Sequence, residues 1–271
     1  MTESIEKFAK KKIIIGMIHL PPLPGTPAGK NAVFSELKQF ALKELEALQL
    51  GGVDGVIVEN FLDLPYYPKR VDTITVAAMA SLAGMIVERA EVSVGINVLY
   101  NDYHAELAIA RAVNAAFIRT EVFVDPAVSE TGMIPAGCAL MIRERAALNA
   151  ENIAILADIH GKNTNAIWKR DITESAIDAE TRGLADALIV TGMGTGKPAS
   201  IEDIRRVKKK ISLPLLVGSG VKPDTLPDLF RVCDGVIVGS YFKEGGNLRA
   251  ATDVARVREL THVARKSDRL I

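Results

Sequence analysis

Four side chains that can transfer protons or bind a metal stand where short apolar runs end: His19, Glu59, Asp158 and His160. The runs before them are rich in β-branched residues, which is typical of strands in a sheet. An imidazole beside a carboxylate is a common pair for general acid–base catalysis, and both groups also bind divalent metals. Three interpretations stay open: acid–base catalysis, which we favour for Asp158 and His160, a divalent metal site formed by all four residues, or a network of hydrogen bonds.

Further polar residues follow other apolar runs and are candidates for binding a polar substrate. Such groups are costly to bury without partners, so a cleft is the natural place for them. Side chains two residues apart on a strand face the same way. Asp158 and His160 are therefore expected to share one face, as are Arg119 and Glu121. The predicted substrate-binding residues are Asn60, Asn97, Arg119, Glu121 and, in an aromatic and basic loop, Arg70.

Glycine is concentrated at three successive run ends, in the segments Gly192–Lys197, Gly218–Gly220 and Gly239–Ser240. Glycine lets backbone N–H groups approach an anion closely, and the start of a helix favours negative charge. These segments predict a phosphate site, although tight turns alone would also use glycine. The predicted phosphate-binding residues are Gly194, Thr195, Gly196, Gly218, Ser219, Gly220, Gly239 and Ser240.

The elements that carry these residues alternate between apolar runs and amphipathic stretches. Continuous apolar runs indicate strands buried on both faces, as in parallel sheets covered by helices. Eight such units predict a (β/α)8 TIM barrel of the phosphate-binding type. A doubly wound open sheet is the alternative, but it predicts a GxGxxG turn that the end of the first run lacks. The predicted strands are Ile13–Ile18, Gly55–Glu59, Ser93–Val98, Phe117–Val122, Ile153–Ile159, Ala187–Thr191, Pro214–Gly218 and Val236–Gly239.

One five-residue segment occurs twice. Asp54–Val58 and Asp234–Val238 have the same sequence, DGVIV, and Asp186–Val190 is a looser copy. Each copy begins a predicted strand, so similar units occupy similar places in the chain. Descent from a repeated unit and convergent strand chemistry both explain the similarity.

The composition indicates one soluble domain. The 271 residues fit a single barrel, residues 1–271, with residues 1–12 as an N-terminal extension or short helix. The 33 basic and 33 acidic residues cancel, which argues against nucleic acid as a partner. No apolar stretch reaches the length of a membrane span, the N-terminus does not resemble a signal peptide, and the two cysteines form no CxxC motif. We therefore expect a cytoplasmic protein, with a homo-oligomer left open.

Nine short segments together resemble the BtpA/SgcQ family. The resemblance spans Ile13 to about Lys266 and implies a TIM barrel related to phosphate-binding barrels. The family name comes from a cyanobacterial member needed for photosystem I accumulation, so the resemblance implies little about the reaction. The matching segments are Ile14–Leu20, Pro22–Gly25, Gly51–Gly55, Val58–Phe61, Lys69–Val71, Gly95–Leu99, Phe117–Arg119, Ile155–His160 and Val217–Val221.

The function expected from residues and resemblance together is an enzyme for a small phosphorylated metabolite, a sugar phosphate or phosphoribosyl compound. An isomerase, lyase or hydrolase reaction fits these groups. The alternative is a non-catalytic assembly factor for membrane complexes such as photosystem I. Phosphoribosylanthranilate isomerase itself is excluded, because His19 and Thr191 stand where that enzyme uses Cys and Asp. The segments Gly161–Thr164 and Arg119–Glu121 depart from the family pattern, which puts a shared substrate in doubt.

Overall fold

A computed structural model describes residues 11–168, 170–192, 194 and 196–268. Within them the strands are β1 (Ile13–His19), β2 (Gly55–Glu59), β3 (Ser93–Asn97), β4 (Phe117–Thr120), β5 (Ala127–Ser129), β6 (Gly132–Ile134), β7 (Ala154–Ile159), β8 (Asn165–Ala166), β9 (Ala187–Thr191), β10 (Leu215–Gly218) and β11 (Gly235–Val238). The helices are α1 (Phe34–Gly51), α2 (Thr73–Arg89), α3 (Tyr103–Val113), α4 (Cys138–Ala147), α5 (Ile172–Thr181), α6 (Ile201–Lys208), α7 (Leu226–Phe230) and α8 (Val254–Asp268).

Eight parallel strands form a closed barrel in the order β1-β2-β3-β4-β7-β9-β10-β11, and β11 pairs with β1. The predicted TIM barrel is confirmed, and each of the eight predicted runs overlaps a barrel strand. The run Phe117–Val122 is shorter than expected: β4 ends at Thr120, so Glu121 lies just beyond the strand. Most of the predicted N-terminal extension, residues 1–10, lies outside the described residues.

A small antiparallel sheet was not predicted. Strands β5, β6 and β8 pair in the order β6-β5-β8, beside the carboxyl ends of β4 and β7. Their lengths of three, three and two residues are too short for a period of two to show in the sequence.

The inside of the barrel is filled by every second residue of its strands. On β1, Ile13, Ile15 and Met17 belong to the inner cluster, whereas Ile14 and Ile18 lie between the barrel and its helices. This alternation follows from the two-residue period of a strand. The next inward position along β1 is His19. The apolar filling of the barrel therefore ends one layer below the carboxyl ends of the strands.

The repeated DGVIV segment has a structural role at the opposite end. The Asp54 carboxylate accepts the backbone N–H of Ile14 at 2.9 Å, and Asp234 accepts that of Leu215 at 2.8 Å. In the looser copy, Asp186 accepts the N–H of Ile155 at 2.8 Å. Each aspartate thus ties the start of its own strand to an adjacent strand. We call Asp54, Asp186 and Asp234 the aspartate latches.

None of the helices described is long and apolar enough to cross a membrane.

Candidate active site

The top layer of the barrel, at the carboxyl ends of the strands, is polar on one side and free of side chains on the other. Backbone pairing sets His19 beside Glu59 and Glu59 beside Asn97. Continuing the inward alternation on the other strands gives Arg119, Asp158 and Thr191. On β10 and β11 the same layer is occupied by Gly218 and Gly239. Because these glycines have no side chain, space is left beside the polar groups.

That space is the pocket we call the central pocket. It contains about 440 Å³ of empty space, open solvent at its mouth included. The side chains of His19, Arg119 and Lys162 meet the glycine loops there. The predicted phosphate-binding residues that line it are Gly196, Gly218, Ser219, Gly220, Gly239 and Ser240.

Backbone geometry explains why glycine is needed in two of these loops. Gly220 has a φ of +67°, and a Cβ there would lie 2.6 Å from the backbone N of Pro198. A Cβ on Gly239 would lie 2.9 Å from Cε1 of His19. Both loops therefore approach their neighbours more closely than a side chain would allow.

The two remaining predicted phosphate residues are Gly194 and Thr195. Gly194 does not line the central pocket, and its carbonyl accepts the Lys197 N–H at 3.0 Å. Thr195 lies outside the described residues.

A buried ion pair anchors the loop after β11 to helix α1. Lys243, 1% exposed, contacts the carboxylate of Glu44 on α1. Thr252 donates its backbone N–H to the same carboxylate at 2.8 Å. Since Lys243 is fully engaged in this contact, it positions the Ser240 segment and does not enter the pocket.

His19, which lines the central pocket, forms a buried pair with Glu59. Nε2 of His19 lies 3.3 Å from Oε2 of Glu59, and the imidazole stacks on Phe61. Burial lowers the pKa of His19 despite the carboxylate beside it. Burial opposes ionisation of Glu59, but His19 and the positive charge of Lys162 outweigh it and hold its pKa at about 2. The pair is therefore a neutral imidazole beside a carboxylate.

Arg119 and Asp158 form a second buried pair. The guanidinium donates from Nε and Nη2 to the two carboxylate oxygens, at 3.1 and 2.9 Å. A two-point contact of this kind fixes the orientation of both side chains. Asp158 consequently holds Arg119 in place at the wall of the central pocket.

Lys162 was missed as a site residue. It lies in the loop after β7, half-buried, and lines the central pocket. The sequence contained a signal for it, because a basic residue follows the Asp158–His160 strand end within a glycine-containing loop. Lys162 adds a positive charge close to Glu59 and to the glycine loops.

Two buried carboxyl groups share the amide of Asn97. Its Nδ2 donates toward Oε1 of Glu106 at 3.1 Å and Oε2 of Glu121 at 3.3 Å, and also toward the Arg119 carbonyl at 3.0 Å. Burial raises the pKa of Glu121 to about 8 and raises the pKa of Glu106 well above its ordinary value. At neutral pH this cluster therefore retains a proton. Glu106, on α3, was not found from the sequence, since a glutamate inside a helical pattern gives no sign of burial.

His160 does not share the face of Asp158 in the way the two-residue spacing predicted. Strand β7 ends at Ile159, and His160 has a left-handed backbone with φ of +51°. Its Nε2 lies 3.1 Å from Oγ of Ser175 on α5 and 3.9 Å from Asp125. Asp158 and His160 both line a second pocket outside the central one, but they have different partners.

Asn60 and Arg70 lie outside the central pocket. The amide of Asn60 bonds to Asp63 and accepts the backbone N–H of Leu99 at 2.8 Å, so it ties two loops together. Arg70 is exposed and lines a separate cavity with Tyr103 and His104. The structure therefore brings neither residue to the other predicted substrate-binding groups.

The four residues predicted as possible ligands of a divalent metal, His19, Glu59, Asp158 and His160, have separate partners. Among the described residues, no three His, Cys, Asp or Glu side chains are grouped so that they could hold a metal ion. His19 faces Glu59, Asp158 faces Arg119, and His160 faces Ser175. A metal at these residues stays a prediction.

Comparison with known protein families identifies the family of this chain. The model of the BtpA family matches residues 10–266. The chain belongs to the BtpA family. The photosystem I biogenesis protein BtpA of Synechocystis is 37% identical over 93% of this chain and 88% of its own length. An uncharacterized protein of Methanocaldococcus jannaschii is 38% identical over 95% of this chain and 97% of its own.

Solved structures of low sequence identity resemble this BtpA-family chain in fold. A thiamine phosphate pyrophosphorylase from Pyrococcus furiosus superposes with a TM-score of 0.59 at 14% identity, covering 96% of this chain and 98% of that one. Tryptophan synthase from Mycobacterium tuberculosis gives a TM-score of 0.63 at 17% identity, covering 97% and 98%. At these identities the likeness establishes the barrel fold alone.

Proposed function

We propose that this BtpA-family protein is an enzyme that acts on a small phosphorylated metabolite. One observation carries the proposal: the glycine loops after β10 and β11 open into the same pocket as His19, Arg119 and Lys162. In barrels of this class the loops after the last two strands commonly bind phosphate. Sugar phosphates and phosphoribosyl compounds are the expected substrates.

Two cationic side chains and the backbone donors at the central pocket support an anionic ligand. Arg119 and Lys162 lie at its wall, and the glycine loops bring backbone N–H groups close to it. The two cations and the backbone dipoles would act on the phosphate together.

The polar side of the pocket supports proton transfer as the chemistry. A neutral imidazole at His19, held by ionised Glu59, can accept a proton, and protonated Glu121, which lines the second pocket together with Asp158, can supply one. Groups whose pKa values are shifted in opposite directions are typical of acid–base sites. An isomerase, lyase or hydrolase reaction would use such a pair.

Charge reversal at Ser240 tests the phosphate site. Ser240→Asp places a negative charge on the glycine loops, whereas Ser240→Asn adds a side chain of the same size without charge. We expect Ser240→Asp to weaken the binding of inorganic phosphate at least tenfold and Ser240→Asn to keep most of it, by isothermal titration calorimetry. Equal binding by wild type and Ser240→Asp, or no binding of phosphate by wild type, would refute the proposal.

A non-catalytic assembly factor is a second candidate, because one exposed surface favours it. On the small antiparallel sheet, Val128 lies opposite Met133, and both are exposed, as are the nearby Ile167 and Trp168. A relative bears the name photosystem I biogenesis protein. If assembly is the function, Met133→Glu should abolish association with a membrane complex in pull-down experiments and leave phosphate binding unchanged. A retained association would contradict it.

A further inference from the structure

Three neighbouring strands present hydrogen-bond acceptors side by side at their carboxyl ends, beginning with His19 at the wall of the central pocket. His19, Glu59 and Asn97 are adjacent in the register of β1, β2 and β3, and none is more than 4% exposed. In the described part of the chain, both carboxylate oxygens of Glu59 are buried without a hydrogen-bond partner, and so are Nδ1 of His19 and Oδ1 of Asn97. One acceptor of each residue belongs to the row: Nδ1 of His19, Oε1 of Glu59 and Oδ1 of Asn97. We call these three atoms the acceptor row. Buried polar atoms in native proteins are normally bonded, so the acceptor row indicates a ligand.

Each atom of the acceptor row can only accept. Nε2 of His19 lies 3.3 Å from Oε2 of Glu59, so we assign the imidazole proton to Nε2, the tautomer that offers the carboxylate a donor, and Nδ1 is then an acceptor. Glu59 is ionised and has no proton to give. The Nδ2 of Asn97 is surrounded by three acceptors, which assigns the remaining atom, Oδ1, as the oxygen. A ligand group that satisfies the row must therefore carry several hydrogen-bond donors.

The local charge favours neutral donors over a cation. The charges of Arg119 and Asp158 cancel, and the charge of Lys162 offsets that of Glu59. His19 is neutral, and the cluster of Glu106 and Glu121 retains a proton. An ammonium group would meet little net negative charge, whereas hydroxyl groups would complete the hydrogen bonds without any.

We propose that the acceptor row binds the hydroxyl groups of a phosphorylated polyol or sugar whose phosphate lies on the glycine loops after β10 and β11. This inference rests on the proposed function and adds to it the orientation of the ligand and the chemistry of its second end. It excludes substrates that place an aromatic or aliphatic group against β1 to β3, since such a group would leave the row unsatisfied.

The test compares phosphate esters that differ at the second end. Ribose 5-phosphate and glucose 6-phosphate offer hydroxyl groups, phenyl phosphate offers an apolar ring, glucosamine 6-phosphate adds an ammonium group, and inorganic phosphate has no second end. We expect wild-type protein to bind at least one of the two sugar phosphates at least tenfold more tightly than phenyl phosphate and inorganic phosphate. Glu59→Gln, which replaces one acceptor by a donor, should remove this preference. Glu36→Gln, on the exposed face of α1, is the matched control.

The outcomes separate this inference from the proposed function. Two results would show that the acceptor row does not recognise hydroxyl groups, while leaving the phosphate site intact. One is that phenyl phosphate binds as tightly as the sugar phosphates. The other is that Glu59→Gln weakens the binding of inorganic phosphate as much as that of the sugar phosphates. Tighter binding of glucosamine 6-phosphate than of glucose 6-phosphate would overturn this inference, because it would show that the acceptor row binds a cation. If no phosphate compound binds the wild type, the proposed function and this inference both fail.

Discussion

Replacing Asp158 by Asn should destabilise the protein strongly, because it leaves the charge of Arg119 buried without its partner. The two side chains are 0% and 3% exposed. Breaking a buried ion pair from one side costs about 3–5 kcal/mol of the free energy of unfolding. At about 2–4 °C per kcal/mol for a chain of this size, the Tm should fall by about 6–20 °C. Thermal unfolding followed by circular dichroism measures this shift without any knowledge of the substrate.

Two controls make the reasoning refutable. Asp228 pairs with Arg231 on the surface, with side chains 63% and 72% exposed, so Asp228→Asn should cost about 1 kcal/mol or less. A double variant of Arg119→Met with Asp158→Leu removes both buried charges and should recover much of the lost stability. An unchanged Tm in Asp158→Asn would show that Asp158 serves chemistry rather than the placement of Arg119. No recovery in the double variant would show that lost packing, and not charge, causes the destabilisation.

Three further predictions concern stability. Burial holds the pKa of Glu121 at about 8, so the folded state keeps a proton that the unfolded chain has lost, and the free energy of unfolding should fall between about pH 5 and pH 8. Glu121→Gln should reduce that slope in urea titrations, and an identical slope would contradict the assignment. Asp234→Ala removes one aspartate latch and leaves the N–H of Leu215 without its acceptor, so the free energy of unfolding measured in urea should fall by about 1–3 kcal/mol. An unchanged free energy of unfolding would show that the latch does not stabilise the barrel. Gly95→Ala would push a methyl group into the ring of Phe117, and we expect the free energy of unfolding to fall by about 1–3 kcal/mol in the same assay. No change would show that the Phe117 ring moves aside at no cost.

The fold was predictable because the barrel strands obey one simple rule over the whole chain. Apolar runs alternate with helical stretches, and the two-residue period of each strand correctly sends His19, Glu59 and Asn97 inward. The same rule failed for His160, because β7 ends at Ile159 and the backbone of His160 itself turns to a positive φ. A turn of this kind depends on contacts with α5, which are distant in sequence.

The parts of the site that escaped prediction have their origin in tertiary contacts. Glu106 lies on a helix and is buried by the strand ends it meets, and no periodicity reports that. Arg70 stands in a loop whose composition is typical of a binding site, yet the loop folds against α3 and α4 instead. Lys162 could have been proposed from its place after β7, but only the closed barrel brings it beside Glu59.

The aspartate latches anchor the strands at one end of this barrel, and the central pocket lies at the other. They tie neighbouring strands together where the strands begin, about as far from the central pocket as the length of a strand permits. Loops at the pocket can consequently be exchanged, lengthened or given other charges while the aspartate latches still anchor the strands. For protein engineering this makes the chain a candidate scaffold: new specificities can be screened in the loops after β7 and β9 at little risk to folding, provided that Asp54, Asp186 and Asp234 are kept.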